Sequence, residues 1–131
     1  MNYHETEHFI MQKPEASQDY PFGEDVKVFK IKAKMFALLG YHEGIARVNL
    51  KCDPLEAEGL REIFHAVIPG YHMNKKHWNT VILDGSVPVG ELKRMIDNSY
   101  SLVVKGLCKP DREALERLYT QEMLYRCYLL V

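Results

Sequence analysis

The sequence predicts one α+β domain, and three observations predict it. Residues 45–52 alternate strictly, with Ala46, Val48, Leu50 and Cys52 on one side and Ile45, Arg47, Asn49 and Lys51 on the other, the period-2 pattern of a half-buried strand. Further strand candidates precede it across short turns, so the sheet is mainly antiparallel. Segments with helical spacing flank these strands and must cover one apolar face of the sheet.

The elements follow in order. Residues 3–13 read as a short helix carrying Phe9 and Ile10, closed by Pro14. Residues 15–24, with Pro21 and Gly23, read as loop. Strands at 26–31 and 34–39 are joined by Lys32-Ala33, a spacing that predicts a tight hairpin although neither residue favours a type I′ turn. Gly44, after His42-Glu43, turns the chain into the strand at 45–52. Asp53 caps the next helix, Pro54 suits its first position, and Glu56 completes a capping-box-like arrangement. Leu60, Ile63, Phe64 and Val67 form its apolar stripe, and Pro69-Gly70 ends it. Gly59 within that helix costs about 1 kcal/mol relative to alanine, which marks a close packing contact.

Residues 77–83, rich in β-formers, give a fourth strand, and Asp84-Gly85-Ser86 turns the chain. A helix runs from Pro88 to about Lys105 with Leu92, Met95, Ile96, Ser99 and Val103 inward; it lacks a polar cap. Residues 111–127 give a final helix carrying Leu115, Leu118, Tyr119 and Met123. The order is α-β-β-β-α-β-α plus one extra α, with residues 1–108 as the main domain and 109–131 as a helical extension.

The chain has 131 residues, 47% of them apolar and 27% charged, which fits a soluble domain with a sizeable core. Residues 1–9 contain no basic-then-apolar progression, and no run approaches the ~18 apolar residues of a membrane span. The expectation is a cytoplasmic protein with no membrane role. Cys52, Cys108 and Cys127 are irregularly spaced without a C-x-x-C pair, so they read as reduced thiols. His65, His72 and His77 match no zinc spacing. Nucleophile elbows and glycine-rich phosphate or dinucleotide loops are absent as well. No cofactor, no metal and no enzymatic activity are expected.

The net charge of −1 excludes a uniformly basic DNA coat, but it conceals a segregation. Residues 1–25 hold six acids and one lysine, a net −5; residues 26–52 hold six bases and one acid, a net +5. Arg47 and Lys51 share the strand face opposite Val48 and Leu50, and Lys30 and Lys32 extend that face on the hairpin. A basic, solvent-facing sheet is a phosphate-binding footprint; exposed strand lysines also serve solubility.

The densest stretch is residues 69–80, which hold Tyr71, His72, Asn74, Lys75, Lys76, His77, Trp78 and Asn79. No carboxylate interrupts the chain between Glu62 and Asp84. Nucleic-acid sites use this mixture: ammonium groups meet phosphates, amides and imidazoles hydrogen-bond backbone or bases, and rings stack or shape. Trp78 also suits a core anchor, and Asn74 and Asn79 suit loop bracing.

Several blocks resemble the MmcQ/YjbR family of small bacterial proteins over roughly residues 5–108. They are Asp19-Tyr20-Pro21-Phe22-Gly23, Lys34-Met35-Phe36-Ala37-Leu38, Val48-Asn49-Leu50-Lys51-Cys52-Asp53-Pro54, and above all His72-Met73-Asn74-Lys75-Lys76-His77-Trp78-Asn79. Leu83-Asp84-Gly85-Ser86 and the stretch from Asp97 to Gly106 complete the resemblance. It implies a frataxin/CyaY-like α-β-α sandwich, an antiparallel sheet with helices on one face, here with an extra C-terminal helix. It also implies DNA binding through a double-wing arrangement of strands and loops. Frataxin-like iron binding is not implied, because the acidic first helix and edge that carry it are not matched here.

The reading is a non-enzymatic nucleic-acid-binding protein, with duplex DNA favoured over single strands. Its expected contacts are Arg47, Lys51, Tyr71, His72, Asn74, Lys75, Lys76, His77, Trp78 and Asn79. The alternative is a protein-interaction or small anionic ligand module without a DNA role. In either case the apolar end of the C-terminal helix suits a partner or a second copy, giving a homodimer.

Overall fold

The computed structural model describes residues 1–70 and 73–125. Its elements are α1 (Tyr3–Met11), β1 (Ser17–Asp19), β2 (Val26–Ile31), β3 (Lys34–His42), β4 (Ile45–Lys51), α2 (Pro54–Ile63), β5 (Val67–Pro69), β6 (Trp78–Ile82), α3 (Val89–Lys105), α4 (Lys109–Leu118) and α5 (Gln121–Leu124). Six strands form one sheet in the order β1-β2-β3-β4-β6-β5, and every neighbouring pair is antiparallel. The fold is α+β.

The alternation of β4 positions the rest. Val48 and Leu50 face the helices, together with Phe29, Ile31, Leu39 and Val81, in a cluster closed by Leu92, Ile96 and Tyr100 of α3. The C-terminal helices join this same core: Leu115 of α4 and Leu124 of α5 are both buried in it. The opposite face, called the open face below, carries a smaller cluster of Val28, Leu38 and Trp78 with Met73 packed against it.

Two strands not expected from the sequence flank the sheet. Residues 15–24 contain β1, whose three residues are exposed and pair with β2. The α2 stripe also ends sooner than its spacing suggested. Helix geometry stops at Ile63, whose side chain is solvent-exposed, and Phe64 is already extended. Val67 is buried as the first residue of β5 instead, where Pro69 sits on an edge strand and its missing N–H costs no ladder bond. Gly59 has open space where a Cβ would stand, so it marks no packing contact. The C-terminal helix is two helices, α4 and α5, broken where Tyr119 turns extended and Thr120 caps the next turn.

The β2–β3 connection is the two-residue loop Lys32-Ala33, between the paired Ile31 and Lys34. Lys32 has φ 50° and Ala33 φ 65°, the positive values of a type I′ turn. The matching β3–β4 loop, Glu43-Gly44, places glycine at its second position with φ 80°. A side chain at positive φ costs roughly 1–2 kcal/mol, partly offset by the extra unfolded-state freedom that glycine brings. Ala33→Gly is therefore expected to stabilise the protein by about 0.5–1 kcal/mol. Urea unfolding checks it: the midpoint rises with an unchanged m-value.

One irregularity shapes the centre of the sheet. The register of β2 against β3 shifts after Phe29, so Phe36 is an extra residue between Ala37 and Met35. Both Phe36 and Ala37 are buried toward the helices. Ser99 of α3 mends the interrupted ladder: its hydroxyl donates to the Phe36 carbonyl at 2.6 Å and accepts the Lys51 N–H at 2.8 Å. These two bonds give the buried Ser99 of α3 its partners.

Candidate nucleic-acid interface

Ion pairing divides the cations that the sequence grouped together. Lys27 is held by Glu7, Lys30 by Asp19 at 3.4 Å, and Lys32 by Glu15 at 3.2 Å. The acidic N-terminal segment thus lies against the basic hairpin and cancels much of its charge. The broad basic face expected across residues 26–52 is corrected by these pairs. Arg47, Lys51, Lys75 and Lys76 make no ion pair with a described residue.

Three of those four cations come together. Lys51, the last residue of β4, lies opposite Trp78 at the start of β6, and the next N–H, of Cys52, donates to the His77 carbonyl at 2.7 Å. The end of β4 and the loop before β6 therefore occupy one end of the sheet. Cross-strand partners share a face, so the Lys51 side chain stands beside the Trp78 indole on the open face.

The loop is braced from within. Gly70 donates its N–H to the Trp78 carbonyl at 2.8 Å, and a Cβ at position 70 would stand 2.7 Å from the Trp78 Cβ. Only glycine lets the chain leave β5 so close to β6. The Asn74 carbonyl accepts from the N–H groups of His77 and Trp78, and its Oδ1 accepts from the Lys76 N–H at 3.0 Å. From α2, the Arg61 guanidinium donates to the Lys75 carbonyl at 3.2 Å. These bonds brace the loop from its backbone, and the Lys75, Lys76 and His77 side chains are left exposed.

Other expected contacts are placed differently. Asn79 points to the helix side, where its Nδ2 donates to the Ala57 carbonyl at 3.3 Å; at 3% exposure it is withdrawn from any surface role. Strand alternation between Trp78 and Thr80 causes this. Trp78 is packed among Val28, Leu38 and Met73 and shapes the surface instead of offering a stacking face. Asn74 spends its side-chain oxygen on the loop. Tyr71 and His72 lie outside the described residues. Arg47 sits on the same strand face as Lys51 but four residues away, about 13 Å at the strand rise. It opens into a separate groove with Asn49 and Thr80. That pair escaped the sequence reading; the signal available was Asn49 between Arg47 and Lys51 on the polar side of β4.

Reactive groups are few. Burial pushes the Cys52 thiol up to about 12, reinforced by Glu56 and Asp53, so it stays protonated and inert. Cys108 is exposed, with Asp111 at 3.2 Å, and Cys127 lies outside the described residues. Among the described residues no three His, Cys, Asp or Glu side chains gather as a metal site.

The YjbR family model matches residues 11–102, a span that runs from the end of α1 through the sheet and most of α3. The chain belongs to the YjbR family. Relatives in this family include YbdF of Escherichia coli O157:H7, 38% identical over 111 residues covering 84% of this chain and 91% of that one. YjbR of Escherichia coli K12 is 36% identical over 110 residues, 84% of this chain and 93% of its own. Both are described only as uncharacterised proteins. Among solved structures, the Deinococcus radiodurans protein DR2400, of family-model domain DUF419, superposes with a TM-score of 0.80 at 36% identity over 88% of each chain. A Pseudomonas syringae protein gives a TM-score of 0.68 at 29% identity over 78% of this chain and 98% of its own. The bounds of the YjbR match include the lysine loop and Lys51 and stop short of α4 and α5, the part that the sequence marked as an extension. No described helix of this YjbR protein is long and apolar enough to cross a membrane.

Proposed function

We propose that this YjbR protein is a non-enzymatic nucleic-acid-binding protein, acting on DNA in the cytoplasm. One observation carries the reading: Lys51, Lys75 and Lys76 occupy one end of the sheet, beside Trp78, and form no ion pair with a described residue. The lysine loop and the Lys32-Ala33 hairpin tip project from this same end, since β2 finishes and β3 starts where β4 finishes and β6 starts. Two protrusions flanking a cationic sheet end suit a duplex better than an extended single strand, which favours bases stacked on open aromatic faces. The architecture is read as frataxin/CyaY-like, without that fold's iron chemistry.

The test is fluorescence anisotropy with duplex and single-stranded DNA across a salt series. Three phosphate contacts give a log–log slope near about −3 on duplex DNA, since each contact contributes ~0.9. Lys75→Ala combined with Lys76→Ala is expected to weaken binding alike on all sequences and to flatten the slope to about −1. Affinity and slope unchanged by the double substitution would remove the lysine loop from the interface.

A further inference from the structure

The open face of the sheet has a second feature, a groove of about 170 Å³ at the end away from the lysine loop. Its walls are mainly apolar, with Val26 and Leu38 on one side, and none of the described residues that line it is acidic. Arg47 enters it from β4. The Arg47 Nε is buried and has no hydrogen-bond partner among the described residues, an arrangement proteins avoid because an unmade hydrogen bond on a charged group is costly. Two residues along the same face, Asn49 takes the Thr80 hydroxyl on its Oδ1 at 2.6 Å, which leaves its amide N–H groups to donate.

We infer that this groove binds a small organic oxyanion, a carboxylate or phosphomonoester on a compact apolar body, through Arg47 and Asn49. A guanidinium is a planar fork of N–H donors that can meet two anion oxygens at once, and Arg47 lines the groove without an ion pair to a described residue. Asn49 follows at about 7 Å along the strand, within reach of a third oxygen or an attached polar group. Groove size limits the ligand: drug-sized sites run at ~300–1,000 Å³, so this one takes a fragment-sized body. The absence of carboxylates among the described lining residues removes groups that would repel an anion or neutralise Arg47. This site is independent of the nucleic-acid reading, because no described residue of the lysine loop lines it.

The experiment follows the backbone amide resonances of positions 47 to 49 in every variant, and the Arg47 Nε–Hε resonance in the unsubstituted full chain, while benzoate, phenyl phosphate, acetate and inorganic phosphate are added. Benzoate or phenyl phosphate is expected to move those resonances saturably with a dissociation constant on the order of 1 mM, the range for a ligand of about ten heavy atoms. Which of the two binds separates carboxylate from phosphomonoester; acetate and inorganic phosphate, lacking the apolar body, bind more weakly. Arg47→Lys keeps the charge but loses the fork and weakens binding by about tenfold. Arg47→Met abolishes it while leaving the melting temperature unchanged or higher, since it removes a buried donor without a partner. Should Arg47→Met prove unstable, Asn49→Asp, which places a carboxylate in the groove, is expected to abolish binding in its stead. Saturable binding that survives both Arg47→Met and Asn49→Asp overturns the inference, as does an Arg47 resonance unmoved by either aromatic anion up to ~10 mM. The salt slope on DNA stays unchanged in Arg47→Met, which separates failure here from failure of the nucleic-acid reading.

Discussion

Replacing Lys13 with methionine is expected to cost about 3–5 kcal/mol, the range seen when one member of a buried ion pair is removed. Lys13 follows α1 and reaches across to Asp97 on α3, whose carboxylate is fully buried. The ammonium also lies 5.1 Å from the Phe9 ring centroid and 6.0 Å from that of Tyr100. Beside it, the Tyr100 hydroxyl donates to the Pro14 carbonyl at 2.7 Å. These contacts fasten the end of α1 to the middle of α3, over 80 residues away in sequence. Methionine preserves most of the packing volume, so the loss measures the charge removed from beside a buried carboxylate. The double substitution Lys13→Met with Asp97→Leu is expected to recover much of that loss, because the desolvated carboxylate goes too. Urea unfolding of the four proteins gives the cycle. A loss below about 1 kcal/mol for Lys13→Met would place this pair among surface bridges.

The same pair shows where sequence reading runs out. Lys13 and Asp97 look like ordinary surface charges on a helix end and on a polar turn of α3, and only the tertiary approach buries them. The hairpin lysines follow the same logic. Glu7, Glu15 and Asp19 sit 11 to 20 residues before their partners, so the charge blocks were legible but their mutual cancellation was not. Local patterns fared better. The strict alternation of β4 settled its inward and outward faces, and hence the placement of Arg47 and Lys51, without any knowledge of neighbours. Conversely, Val67 continued the spacing of the α2 stripe so well that β5 was hidden inside a helix pattern. The competing β pairing to β6 decides it. β1 offers only three exposed residues and no apolar signal at all. In the lysine loop the residue types pointed to nucleic acid, but the sequence gives no sign that Asn79 turns inward and Trp78 is packed.

Ser99→Ala is expected to cost about 2–4 kcal/mol, and it tests whether the sheet end that carries Lys51 is built as described. Deleting the hydroxyl strands two buried backbone groups at once, the Phe36 carbonyl and the Lys51 N–H, at roughly 1–3 kcal/mol each. Alanine favours the helix slightly more than serine does, which offsets only a few tenths of that cost. Cysteine is the informative comparison, since it restores the volume and supplies only a weak donor, so Ser99→Cys should lie near alanine. Threonine keeps the hydroxyl but adds a methyl against the sheet. Amide exchange locates the effect: protection falls first at Lys51 and its neighbours in β4, while the distant His42–Ile45 end keeps its own. If Ser99→Ala proves neutral, water or the backbone itself must satisfy the Phe36 carbonyl, and the extra residue in β3 would need no partner from α3. A localised loss instead means that one hydroxyl fixes the register at the point where β4 hands the chain from the core to Lys51 and the lysine loop.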